Sequence, residues 1–292
     1  MTMALQVLTP EQCDFFNRYG YLHLKSFVPE SLLNTVQRPI DRWVDRAIRR
    51  WTKKGLLTNN FAKLPFNLRL YRAWEAAKRP FYNECITQEI ASPEMFNFLT
   101  YPGFVGLAQD LLAGNNIQAS AGYMCRPKLP TSAFPIDTPW HQDAQCFPLH
   151  GMQLARIITI WIPFMDVDET NSCLQVSEAS HINAKVFEDV KNGTIHYSIS
   201  PEYSDKFINL RSIPMRRGDA LCLHQLVAHR ALPNMSDKMR WSMDIRYEQF
   251  NGADAPVPRR GFVCAHEDPS RIDSTAEAAF HGLWAYTDPS AD

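Results

Sequence analysis

The chain changes texture near residue 117, and that change limits the folds open to it. Ahead of it, apolar residues recur at helical spacing. Beyond it, short alternating or β-branched runs lie between turn clusters. The runs at 118–125, 155–164, 174–176, 211–213, 220–223 and 240–247 read as strands. Asp168-Glu169-Thr170-Asn171, Arg217-Gly218-Asp219 and Pro233-Asn234-Met235-Ser236 read as turns between them. A helical front half followed by many short strands predicts a mainly β fold, a barrel or sandwich with flanking helices packed outside it.

In the front half, Thr9-Pro10-Glu11-Gln12 combines a Thr cap, Pro at the first helical position and Gln three residues after the cap. Phe15, Phe16 and Tyr19 give that helix an apolar stripe, and Gly20 sits where it should stop. Tyr21-Leu22-His23-Leu24 then alternates like a short strand. Between about 29 and 54, Leu32, Leu33, Val36, Ile40, Trp43, Val44 and Ile48 fall at near-helical spacing, opposite a face rich in Arg and Lys. Residues 57–118 read as mainly helical, broken at Pro65, Pro80, Pro93 and Pro102, and the Pro-rich stretch 126–139 reads as an ordered loop or lid.

Composition excludes several function classes. The net charge is −1 with Lys and Arg dispersed, which argues against a nucleic-acid partner or a membrane surface held by charge. The seven cysteines are odd in number and scattered, unlike a secreted disulfide framework, so a reducing, cytoplasmic setting is expected. Residues 1–9 lack the pattern of a signal peptide, and no apolar run approaches the ~20 residues of a membrane span. A small-molecule substrate is the expected partner, and no motif sets an oligomeric state.

Trp140-His141-Gln142-Asp143 places a His and an Asp two residues apart. On a strand those side chains point the same way, as two ligands of one metal must. Two imidazoles and a carboxylate suit iron(II) and leave three coordination positions for a co-substrate and dioxygen. His-x-Asp alone recurs by chance, so the third ligand matters. His229 ends a β-rich run opened by Gly218-Asp219-Ala220, placing it on a second strand. Eleven residues on comes Arg240, then Ser242 on the same strand face, while Trp241, Met243 and Ile245 share the other. A guanidinium fork beside a hydroxyl suits the distal carboxylate of a dicarboxylic keto acid.

Nearly the whole chain resembles the phytanoyl-CoA dioxygenase (PhyH) family of iron(II)- and 2-oxoglutarate-dependent oxygenases. The resemblance rests on His141-Gln142-Asp143, Thr159-Ile160-Trp161-Ile162-Pro163-Phe164, Asn171-Ser172-Cys173-Leu174-Gln175-Val176, Ser180-His181, Arg217-Gly218-Asp219-Ala220 and the stretch from His229 to Arg240. The opening Leu8-Thr9-Pro10-Glu11-Gln12 and Gly20-Tyr21 match as well; about 50–116 and the tail beyond 250 do not. The resemblance implies a double-stranded β-helix, a jelly-roll or cupin-like barrel. On that basis 1–292 forms one oxygenase domain: about 1–116 helical support, about 117–250 the core with the metal site, and 251–292 a C-terminal extension. It implies that His141, Asp143 and His229 hold iron, that Arg240 clamps 2-oxoglutarate with help from Ser242, and that Trp161 lines the site. Thr159 shares the strand face of Trp161 and could touch 2-oxoglutarate or substrate. The implied chemistry consumes 2-oxoglutarate and dioxygen, releases succinate and carbon dioxide, and hydroxylates, desaturates, cyclises or epoxidises a small organic molecule. Asp143 stands where related halogenases carry Gly or Ala, which argues against halogenation.

Blander readings compete for other residues. Along an extended strand His224 faces away from His229 and reads as a core histidine. His150, His181 and His196 read as loop residues, and Arg69 and Arg72 as a solvated helix face. Gln145 shares parity with Asp143 and suits a substrate contact or a turn equally. The cysteines read as small buried hydrophobes, with Cys146 the most oxidisable. Phe134, Trp140, Phe147, Trp161 and Trp241 lean toward an apolar substrate. The alternative function is a cupin-like metal protein or a metalloenzyme that does not use 2-oxoglutarate, which would need the three ligands without Arg240 and Ser242.

Overall fold

The computed structural model describes residues 4–80, 86–120, 122–133, 138–146, 156–183, 186, 198–250 and 261–281. Helix α1 (Pro10–Tyr19) leads into strand β1 (Tyr21–Leu24), then α2 (Glu30–Lys53), α3 (Phe66–Ala76), α4 (Pro93–Leu99) and α5 (Pro102–Leu112). Strands β2 (Ile117–Ser120), β3 (Met124–Lys128), β4 (Arg156–Pro163) and β5 (Leu174–Ser177) follow, with a short α6 (Pro201–Ser204) before the remainder. That remainder is β6 (Leu210–Ile213), β7 (Ala220–His224), β8 (His229–Ala231), β9 (Arg240–Gln249), β10 (Gly261–Ala265) and α7 (Ala276–His281).

The boundaries follow the chemistry of their residues. Thr9 accepts from the Gln12 backbone N–H while the Gln12 side chain accepts from the Thr9 N–H, a reciprocal cap worth about 1 kcal/mol. Gly20 ends α1 at φ +82°, and a Cβ there would lie 2.5 Å from His181 Nδ1, so both backbone and packing require glycine. Pro93 and Pro102 open α4 and α5, and Pro65 caps α3, so the prolines punctuate helices as expected. Pro39 lies inside α2, where it gives up one backbone hydrogen bond without ending the helix.

The strands form two antiparallel sheets. The larger runs β1-β7-β4-β9-β2-β10, with β3 also paired to β9; the smaller runs β6-β5-β8. This is a double-stranded β-helix core with helices on one face, the predicted fold. The helices bury Val36, Ile40, Val44 and Phe104 against the outer face of the larger sheet, where Ile158, Ile160 and Ile162 of β4 meet Trp241, Met243, Ile245 and Tyr247 of β9. Phe66 stacks on Trp241 at 5.0 Å and Trp43 meets it edge-on at 6.4 Å. The inner face carries a second apolar cluster, including Trp161, Leu174, Val176, Leu221, Leu223 and Ala231, between the two sheets. Strands β4, β7 and β9 therefore each turn one dry face toward the helices and the other toward the cavity.

Three expectations change. The run at 118–125 is two strands, because β9 pairs with β2 through Tyr247 to Gln249 and with β3 through Arg240 to Asp244. Between them Arg246 Nη1 donates to the Gly122 carbonyl at 3.0 Å, a side chain taking over where the ladder is interrupted. His229 opens a short strand of its own, β8, rather than ending the run that begins at Ala220, and β10 was not expected at all. Gly261 lets β10 approach so closely that a Cβ would lie 2.1 Å from the Ala119 carbonyl oxygen. Phe134, Phe147, His150, His196 and Cys85 lie outside the described residues.

Candidate metal centre

The three predicted ligands meet. Donor atoms of His141, Asp143 and His229 all lie within 4.8 Å of one another, the grouping of that kind found among the described residues. His141 and His229 form an antiparallel bridge, exchanging both backbone hydrogen bonds at 3.0 Å. Directly opposed residues point to the same side, so the two rings converge with centroids 4.2 Å apart.

Asp143 arrives differently from the expectation. It starts a 3-10 turn, Asp143–Cys146, instead of continuing a strand, so alternation is not what aligns it with His141. The reason is Gln142. Its backbone N–H donates to Gln145 Oε1 at 2.8 Å and its side-chain amide donates to the Leu226 carbonyl at 2.7 Å, which winds the chain and ties it to the loop before His229. Ala144 N–H donates to the Gln225 carbonyl at 3.0 Å, and Ala228 N–H to Ser180 Oγ at 2.8 Å, fixing the same loop from both sides. Of Gln145's two readings, the turn role is the one its contact with Gln142 shows.

The surroundings prepare these groups for a cation. His141 Nδ1 lies 2.9 Å from the Pro139 carbonyl and His229 Nδ1 3.1 Å from the Val227 carbonyl. A carbonyl only accepts, so each Nδ1 carries the proton and each Nε2 presents its lone pair to the cavity. Burial, then the neighbouring His229, pushes His141 down to about 3, keeping it neutral as a metal ligand must be. Burial alone would raise Asp143. Arg246 above all, with His229, His141 and the Thr159 hydroxyl, outweighs it and holds the carboxyl well below the usual carboxylate range. Arg246 Nη2 donates to Asp143 Oδ1 at 3.0 Å, and Thr159 Oγ donates to Oδ2 at 2.6 Å. Two neutral imidazoles and one oriented carboxylate fit a first-row divalent cation of the iron type.

Arg240 and Ser242 lie on the inner face of β9, both buried, with a guanidinium N–H of Arg240 donating to Ser242 Oγ. The Arg240 guanidinium sits over the Trp161 ring, 5.4 Å from its centroid. One cavity is lined by the three candidate ligands, Thr159, Trp161 and Arg240; of the sequence-predicted site residues only Ser242 is not on its wall, and it accepts from Arg240 behind it. A buried, planar cation on the wall of the cavity that holds the three donors fits the distal carboxylate of 2-oxoglutarate.

Other candidates separate from the site. His224 faces the helical side, where its Nδ1 accepts from Leu226 N–H at 3.1 Å beside the His181 ring. Arg69 pairs with Asp45 and Arg72 with Glu75, away from the pocket. Trp241 packs among helices, and Trp140 meets Phe207 and Arg230, so neither supports an apolar pocket wall. Arg246, Asp244 and Arg126 also line the cavity, and the sequence reading missed all three. The signal was available: the period-two pattern through Arg240 and Ser242 continues to Asp244, Arg246 and Glu248, five polar residues on one face of a strand.

The family model "Phytanoyl-CoA dioxygenase (PhyH)" matches residues 16–242. A probable phytanoyl-CoA dioxygenase of Caenorhabditis elegans is 23% identical over 254 residues, 82% of this chain and 75% of that one. A phytanoyl-CoA dioxygenase of Arabidopsis thaliana is 23% identical over 265 residues, 84% of this chain and 90% of that one. Among solved structures, EctD from S. alaskensis with 2-oxoglutarate and 5-hydroxyectoine has the same fold at TM-score 0.57 and 13% identity, covering 82% of this chain and 76% of that one. The α-ketoglutarate-dependent epimerase SnoN from nogalamycin biosynthesis gives TM-score 0.53 at 18% identity, with 82% of each chain covered. The family match extends across the ligand residues and Arg240, and the chain belongs to the phytanoyl-CoA dioxygenase family, the iron(II)- and 2-oxoglutarate-dependent oxygenases.

Proposed function

We propose that this enzyme oxidises a small organic molecule, by hydroxylation or by desaturation or ring closure at the same centre. In this reading His141, Asp143 and His229 hold the iron, Arg240 and Ser242 hold the distal carboxylate of 2-oxoglutarate, and Thr159 and Trp161 brace them. When bound, iron(II) with 2-oxoglutarate and dioxygen supplies the oxidising power, with succinate and carbon dioxide released. The chain's own part is to orient donors and exclude water. Pro139 and Val227 fix the imidazole tautomers, Thr159 and Arg246 fix the carboxylate, and Trp161 backs the guanidinium. The observation that carries the reading is the convergence of three pre-oriented donors and the buried Arg240 in one cavity, with Ser242 Oγ accepting from that guanidinium. A metal protein that does not use 2-oxoglutarate would have no use for that pair.

SnoN is described as an epimerase and EctD is shown with 5-hydroxyectoine, so substrates of small, functionalised type support a small-molecule partner here. No helix among the described residues is long and apolar enough to cross a membrane. The described cysteines 13, 125, 173, 222 and 264 are free thiols, in keeping with a reducing, cytoplasmic setting. The test is succinate release from 2-oxoglutarate with iron(II) in air, together with the visible charge-transfer band that iron and 2-oxoglutarate give without oxygen. The wild type should show both. Loss of neither in Arg240→Ala would refute the clamp.

A further inference from the structure

Three of the four polar residues at the start of β9's inner face have work in the site already described. Arg240 and Ser242 form the proposed carboxylate clamp, and Arg246 holds Asp143. Asp244, between them, has none. It lies opposite Trp161 on β4 and Met124 on β3, lines the cavity, and is 7% exposed. Arg126, on the same face of β3, donates its Nε–H to Asp244 Oδ2 at 2.8 Å. The other oxygen, Oδ1, is buried and receives no hydrogen bond among the described residues. Buried carboxylate oxygens are rarely left so, and on a residue that lines an active-site cavity such an oxygen asks for a donor from outside the chain.

The chemistry of that donor is constrained. 2-Oxoglutarate cannot supply it, because the ionised co-substrate has acceptor oxygens only. The metal is not the partner either, since Asp244 is absent from the ligand cluster. A carboxylate substrate would meet Oδ1 as like charge. An ammonium would enter a cavity already lined by the Arg126 and Arg246 cations, with Asp244 and Asp143 each committed to one of them. A neutral hydroxyl meets neither penalty. Leu174, Leu223 and Ala231 line the same cavity and offer aliphatic contact to the carbon skeleton behind it.

We infer that Asp244 is a specificity-determining residue that accepts a hydrogen bond, through Oδ1, from a hydroxyl of the primary substrate, with Arg126 as its positioning residue; the substrate is then a neutral, hydroxylated small molecule. This deepens the proposed oxygenase reading and rests on it. It also reverses the lean toward an apolar substrate that aromatic content suggested.

The test uses iron-loaded full-length protein and a fixed panel of cyclic alcohols, polyols and glycosides, each beside its deoxy counterpart, read as succinate release above the substrate-free rate. Hydroxylated members should stimulate the wild type, and Asp244→Asn should lose roughly 10- to 100-fold in kcat/KM for them. Their deoxy counterparts should stimulate poorly in both proteins. Arg126→Met should lose a similar factor and Arg126→Lys recover part of it, while the anaerobic charge-transfer titration of 2-oxoglutarate shifts less than about threefold. The volume-matched double variant Arg126→Met, Asp244→Leu guards against a folding defect: its melting temperature should stay within about 3 °C of wild type while hydroxyl preference is lost. Equal response of wild type and Asp244→Asn, preference for the deoxy compounds, no stimulation by any hydroxylated member, or a tenfold loss of 2-oxoglutarate affinity would each overturn the inference. Absence of the charge-transfer band in the wild type would instead overturn the oxygenase reading beneath it.

Discussion

Single side chains at the centre have separable duties, and their variants should fail in different ways. Asp143 is both proposed ligand and ion-pair partner of Arg246, so Asp143→Ala should abolish iron binding measured by anaerobic titration and leave the Arg246 cation buried without its carboxylate. Arg246→Met removes the group that most strongly holds Asp143 ionised. Iron affinity should then fall about 10- to 100-fold, with 2-oxoglutarate affinity of the iron-saturated protein little changed. Arg240→Ala should show the reverse split: iron binds normally, while the KM for 2-oxoglutarate rises at least about tenfold, as expected when a charge-assisted fork is lost. Equal losses of iron in both variants would show that the two arginines act on one group rather than two. His141, Asp143, His229, Arg240 and Ser242 could be named from sequence because their spacing and parity are local properties. Arg246 and Asp244 were equally visible in the alternation of one strand, but what each contacts, Asp143 in one case and Arg126 in the other, is a fact about different strands.

At the scale of elements, the junction from α1 to β1 and the outer face of β9 carry the clearest stability predictions. Gly20→Ala asks a residue with a Cβ to hold φ +82° and to displace the His181 ring. Unfolding in urea should show a loss exceeding about 1 kcal/mol, the cost of the backbone conformation alone. Trp241→Ala empties the site where Phe66 and Trp43 meet the larger sheet, and about 3–5 kcal/mol should be lost. A loss below about 1 kcal/mol would mean that the helices do not depend on this contact. The helices themselves were legible because caps, prolines and the 3.6-residue period act within a few turns. The division of 118–125 into two strands was not, because it reflects how β9 shares one edge between β2 and β3.

For the whole molecule, the half-buried His224 makes stability depend on pH. Burial, then His181, pushes it down to about 4, and its Nδ1 accepts from Leu226 N–H, an arrangement only the neutral ring can keep. In the unfolded chain it would titrate near its ordinary value of 6.5. Between those values the unfolded state binds the extra proton, so stability is intact above about pH 6.5 and is lost as pH falls toward 4. The contribution is at most about 1.4 kcal/mol per pH unit. Urea titrations of metal-free protein at pH 7.0, 5.5 and 4.5 should show the decline, and His224→Gln should flatten part of it while still offering an oxygen to Leu226. A slope identical in both proteins would place the proton uptake elsewhere.

The sequence by itself determined the helical front half and the strand-rich second half, through period and capping, and, through its motifs, the family and the candidate ligands and clamp. Tertiary structure decided how those residues meet. His141 and His229 converge through a backbone bridge between segments 88 residues apart along the chain. Asp143 reaches them on a 3-10 turn held by Gln142, where alternation along a strand had been the expectation. It also decided the character of the pocket. Composition counted aromatic rings near the motif, but sheet pairing sends Trp241 outward to the helices and turns Asp244, Arg246 and Arg126 inward. Which face of a strand is dry depends on what packs against it, and that is set by the partner elements rather than by the strand.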